Sequence, residues 1–81
     1  MNEQSLQAII FAELKNIAPE CDPAELDPNE NIREALDIDS YSFLKVLVGL
    51  NEQTGVDIPE ADYGKLSTLK AITDYLITRL D

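Results

Sequence analysis

The sequence predicts an all-α fold, a small four-helix bundle with three longer helices and one short third helix. Three observations carry this prediction. Apolar residues recur at spacings of three and four in three separate stretches. Capping residues and breakers (Asn2, Pro19, Asp39, Gly55, and Ser67 or Thr68) stand at the ends of those stretches. No alternating strand pattern, internal repeat or low-complexity tract competes; Val46 to Leu50 alone would pass for a short buried strand, but its apolar run continues a longer helical period.

The first helix spans Glu3 to Ile17, with Leu6, Ile9, Ile10, Leu14 and Ile17 on one face, Asn2 as its cap and Pro19 as its end. From Glu20 to Asp39 the period lapses into a segment punctuated at Asp22-Pro23 and Asp27-Pro28, which predicts a long surface loop pinned down by Leu26, Ile32, Ala35, Leu36 and Ile38. A second helix starts at Asp39 and runs through Ser42 to Gln53, with Leu44, Leu47 and Leu50 as its inward stripe and Gly55 as its terminator. Gly49, inside that helix, costs ~1 kcal/mol of helix propensity and points to a close helix approach or to room beside a cavity. Pro59 then opens a short helix over Glu60 to Gly64, with Gly64 as its stop. The final helix takes Ser67 or Thr68 as cap and turns Leu69, Ile72, Leu76 and Leu80 inward, while Lys70 and Asp74 pair one turn apart on the wet side.

A chain of 81 residues makes one domain, 1–81, with one thin core. With five aromatics and no Trp, that core is aliphatic, and a deep dedicated substrate cavity is not expected. Sixteen acids against six bases give a formal charge of −10, which repels nucleic acid and anionic membrane and favours protein partners with basic patches. From Asp22 to Asp39 alone there are seven acids and one base, Arg33. There is no His, so no Ser-His-Asp or Cys-His arrangement can be built, and no enzyme activity is predicted. The single Cys21 has neither a disulfide partner nor a neighbouring cation to activate it. Without a leader or an apolar run of membrane length, a cytoplasmic monomer with no membrane insertion is the simplest expectation.

The most informative stretch is Leu36-Asp37-Ile38-Asp39-Ser40-Tyr41. It puts a serine hydroxyl in the first turn of a helix, directly after an acidic cap, where partial positive charge and unpaired amides favour a phosphodiester. Asp39 opposes this by like-charge repulsion. Taken alone, the Asp-Ser pair is an ordinary capping arrangement.

The order of motifs along nearly the whole chain resembles the acyl carrier protein family: a helix, a long acidic loop, Asp39-Ser40, a second helix, Ile58-Pro59-Glu60, then Lys65-Leu66-Ser67-Thr68-Leu69 before the last helix. The resemblance implies a bundle of acyl-carrier-protein type. It implies that Ser40 receives 4'-phosphopantetheine from coenzyme A by a phosphopantetheinyl transferase, and that the arm carries acyl or aminoacyl groups as thioesters. Partners would be acyl- or aminoacyl-loading and acyl-transfer enzymes of fatty acid, lipid or secondary-metabolite biosynthesis. It also implies an acyl-chain space between the second and third helices, for which Phe43, Leu44, Leu47, Leu50, Ile58, Ala61, Tyr63 and Leu66 are the candidates; the same residues read equally as plain core.

Three positions depart from the family's pattern. Tyr41 replaces the usual Leu after the serine, as a docking anchor or a half-buried side chain. Asp37 stands where the family often has Gly. The second helix, usually rich in acids, holds only Lys45 and Glu52 between Ser42 and Gln53, so Asp37, Asp39, Glu60 and Asp62 take over electrostatic steering, and a specialised carrier is expected. The docking set is then Asp37, Asp39, Tyr41, Lys45, Glu60 and Asp62. Alternatives are an aminoacyl, D-alanyl or peptidyl carrier, or a helical interaction module that carries no phosphopantetheine. The loop acids lack the ordered spacing of a calcium loop, and no metal site is predicted.

Overall fold

In the computed structural model, which describes residues 2–80, α1 spans Glu3–Ile17 as the spacing predicts. The Asn2 side chain accepts from the Ser5 amide at 2.7 Å, satisfying one of the helix's free N-terminal donors. Leu6, Ile10 and Leu14 are its buried stripe, and Ile9 and Ile17 flank it half-buried.

The segment expected to be loop contains two short helical pieces. Pro23–Glu25 forms a 3-10 turn under the Asp22 carboxylate, and Ile32–Leu36 forms a helix, α2, capped by Asn31, whose side chain accepts from the Glu34 amide at 3.0 Å. Five residues are too few to hold helix on their own. Burial of Ile32 and Leu36, one turn apart, supplies the stability, and backbone bonds from Ile32 N to Ser67 O (2.9 Å) and from Lys70 N to Pro28 O (2.9 Å) tie the segment to the entry of the last helix.

The next helix, α3, spans Ser40–Thr54 with Asp39 as cap and Gly55 as terminator, at φ 75° in the left-handed region that glycine adopts without strain. Its inward stripe is Phe43, Val46, Leu47 and Leu50. Leu44, expected inward, is 37% exposed: the buried face is centred one residue earlier in the helical cycle, which turns Leu44 outward. At Gly49 an added Cβ would meet the Glu13 carboxylate of α1, so the glycine marks a close approach from α1.

After buried Val56 and Ile58, the third helix is a 3-10 helix over Glu60–Lys65. It runs one residue beyond the expected stop, because Gly64 keeps an ordinary helical conformation and does not terminate it. In α4 (Leu69–Leu80) it is Thr68 that caps, its hydroxyl accepting from the Ala71 amide at 3.1 Å. Leu69, Ile72 and Leu76 are buried as predicted, Leu80 is half-buried, and Lys70 and Asp74 form an exposed pair at 2.7 Å. The core between α1, α3 and α4 is aliphatic apart from Phe43.

Candidate functional site

Asp39 has extended backbone, and its carboxylate accepts from the Ser42 amide at 2.8 Å, which fixes where α3 begins. That hydrogen bond, helped by the more distant charges of Lys45 and Arg33, holds the Asp39 carboxyl below its ordinary pKa. Ser40 is the first helical residue. It is exposed, and its hydroxyl makes no hydrogen bond among the described residues. The amides of Ser40 and Tyr41 also have no acceptor there, so a free hydroxyl sits beside free donors at the positive end of a 15-residue helix.

Asp37 ends α2 in the left-handed region, at φ 53°. This accounts for the glycine common here in the family that the chain resembles. Asp is one of the few other residues that enter this region readily.

Beside Ser40 lies a cleft of about 240 Å³. Ser40, Phe43, Leu44 and Leu47 of α3 line one side; Tyr63 and Gly64 of the 3-10 helix, Ser67, and Asn31 and Arg33 at α2 complete it. Four of the eight residues proposed for an acyl-chain space therefore meet here: Phe43, Leu44, Leu47 and Tyr63. Leu50, Ile58 and Leu66 are buried in the core away from the lining, and Ala61 is exposed on the outside of the 3-10 helix. Sequence reasoning did not assign Arg33, Asn31 or Ser67 to the cleft. The only available signal was that Arg33 is the lone base of an acidic stretch.

Of the proposed docking residues, Asp37, Asp39, Lys45 and Glu60 are exposed and Tyr41 is 77% exposed, which removes its half-buried alternative. On the same face of α3, Leu44 and Val48 (47% exposed) extend Tyr41 into an apolar stripe at i, i+3 and i+7. Asp62 is placed differently. Its carboxylate turns toward α4, accepting from the Tyr75 hydroxyl at 2.6 Å and from Lys65 at 3.4 Å, with Arg79 at 3.9 Å. The Arg79 guanidinium also lies 3.5 Å over the Tyr75 ring. Asp62 thus latches to α4 the 3-10 helix that carries Tyr63 and Gly64.

The hydrogen bond that Tyr75 donates lowers the Asp62 pKa and raises that of Tyr75, and it is the chief cause of each shift. A lowered carboxyl pKa contributes stability above its unfolded value of 3.8, lost as pH falls through the folded value. A raised phenol pKa contributes stability below 10.0, lost as pH rises through the folded value. Tyr75→Phe should therefore melt lower than the parent at neutral pH, and the gap between the two should close on both the acid and the alkaline side. Thermal melts across pH check this, and a gap that ignores pH would assign the effect to packing.

No group of three His, Cys, Asp or Glu side chains is placed to hold a metal ion among the described residues, and none of their helices is long and apolar enough to cross a membrane.

The family described as phosphopantetheine attachment site matches residues 5–76. An acyl carrier protein of Myxococcus xanthus is 32% identical over 66 residues, covering 82% of this chain and 84% of its own. One from Micrococcus luteus is likewise 32% identical, covering 82% of each. A meromycolate extension acyl carrier protein of Mycolicibacterium aurum is 33% identical over 73 residues, covering 86% of this chain and 75% of its own.

Proposed function

Since the chain belongs to the acyl carrier family with its phosphopantetheine attachment domain, whose members are carriers and not enzymes, we propose that Ser40 is the residue that takes the 4'-phosphopantetheine arm. The observation that carries this is the Ser40 hydroxyl itself, exposed and unengaged in the first turn of α3, after a cap that leaves two neighbouring amides free. The fit to a phosphodiester is good: an attached anion meets free N–H groups and the helix dipole, worth ~0.3–1 kcal/mol at an exposed site.

In this reading a phosphopantetheinyl transferase presents coenzyme A to the serine. Ser40 Oγ bonds to the phosphorus bearing pantetheine as the bond to the adenosine bisphosphate breaks, and the hydroxyl proton leaves to a base on the transferase. The arm then holds acyl or aminoacyl cargo as a thioester and raises its effective concentration at each docked enzyme. Incubation with coenzyme A and a broad-specificity transferase should add one phosphopantetheine to the intact mass. No gain with several transferases would leave a helical interaction module as the better account.

The docking face in this proposal is the outer side of α3. Tyr41, Leu44 and Val48 supply apolar contact around Lys45, and Asp37, Asp39 and Glu60 supply the surrounding charge. Exposed apolar residues aligned on an otherwise nearly neutral helix favour partners with an apolar groove over partners selected by basic patches alone. A Tyr41→Ala, Val48→Asp double variant should fold as the parent does and load roughly tenfold more slowly or worse. Unchanged loading kinetics would move the docking face elsewhere. A cytoplasmic monomer serving a specialised fatty acid, lipid or secondary-metabolite pathway is the setting that these features suit.

A further inference from the structure

Arg33 gives the cleft beside Ser40 a character that a plain hydrocarbon site would not have. Exposed Arg33 lines the cleft together with Phe43, Leu44, Leu47 and Tyr63, and no carboxylate pairs with it among the described residues, in a chain of sixteen acids and six bases. Asp39 feels its charge, but that carboxylate is taken up by the Ser42 amide. Asn31 and Ser67 add hydrogen-bonding capacity in the same cleft.

A cleft with an apolar wall and a free guanidinium suits a molecule with an apolar segment and an anionic group, because a carboxylate entering an apolar site without a partner is strongly disfavoured. Guanidinium offers it a two-point, charge-assisted hydrogen bond. At about 240 Å³ the cleft falls below the ~300–1,000 Å³ of pockets that take drug-sized ligands, so its guest is short. We propose that the cleft beside Ser40 receives a short acyl group carrying a carboxylate, and that Arg33 is the residue that recognises the carboxylate. This rests on Ser40 being the attachment site. Tethering makes even a weak cleft effective, since the cargo is always at high local concentration. The phosphodiester on Ser40 offers anionic oxygens too, but it makes no use of the apolar wall.

The parent and Arg33→Gln are each loaded with a bare arm, a valeryl arm or a glutaryl arm from the corresponding coenzyme A thioesters. Loading is verified by intact mass, so that a failure of the Ser40 assignment is seen at that step and not confused with a failure of the cleft. Thermal melts and the Arg33 Nε–H resonance are then read. The proposal predicts that glutaryl raises the melting temperature of the parent by several degrees over the bare arm and shifts the Arg33 resonance. Valeryl should do less, and Arg33→Gln should lose the glutaryl advantage. Equal gains from the two acyl groups in both proteins would overturn it. So would an Arg33 shift that is complete with the bare arm and unmoved by glutaryl, which would assign Arg33 to the phosphodiester.

Discussion

Ser40→Ala is expected to lose all carrier activity while melting as the parent does. The loss is total because the phosphodiester can form only through a hydroxyl at the position a transferase addresses, and the neighbouring Ser42, two residues on, is rotated well around the helix and half-buried. Stability is untouched because Ser40 is exposed, its hydroxyl bonds to nothing among the described residues, alanine is the best helix former, and Asp39 still caps α3 through the Ser42 amide. Exposed substitutions of this kind stay within ~0.5 kcal/mol. Intact mass after transferase treatment, with a melt of the same sample, measures both halves. Ser42→Ala should load normally.

The largest expected loss of stability is at Leu50. Leu50 and Leu44 read as equivalent members of one inward stripe in the sequence, yet Leu50 is wholly buried and Leu44 is partly exposed. Leu50→Ala leaves a cavity in the core and should cost ~2–5 kcal/mol. In a domain of this size that lowers the melting temperature by at least about 8 °C, and it is a large share of a total stability of ~5–15 kcal/mol. Leu44→Ala should cost clearly less, because water already reaches much of the side chain. Equal losses at the two positions would contradict the outward placement of Leu44, and with it the cleft and the stripe.

The contrast between those two leucines shows what the sequence could and could not convey. Helix ends were legible because capping is local chemistry: Asn2, Asp39 and Gly55 act on groups within a few residues of themselves. The inward face of α3 was less so, since Leu44-Leu47-Leu50 and Phe43-Val46-Leu47-Leu50 are both helical stripes sharing two members. Which one is buried depends on where α1 and α4 lie. The short α2 was hidden for a similar reason, as its stability comes from Ile32 and Leu36 in the core and from backbone bonds to residues 67–70, all distant in sequence. Its Asn31 cap acts only on the nearby Glu34 amide, and a cap alone does not select helix over loop in a segment punctuated by prolines.

Ser40 was legible because the attachment site depends on order along the chain: cap, serine, helix. Asp62 and Arg33 were not, because their roles depend on what stands opposite. In the sequence Asp62 is one more surface acid and Arg33 a lone base in an acidic loop; in the fold Tyr75 of α4 donates to Asp62, and Arg33 shares a cleft with Phe43 and Leu47.

The most direct test of the carrier assignment is to isolate the protein from the cells that make it and map the modification. Trypsin cuts after Arg33 and Lys45, releasing Ser40 in the peptide Glu34–Lys45, where Ser42 and Tyr41 are the other hydroxyls. The account predicts that this peptide carries phosphopantetheine and that fragmentation places it on Ser40. An unmodified peptide in every preparation, or the added mass on Ser42, would contradict it.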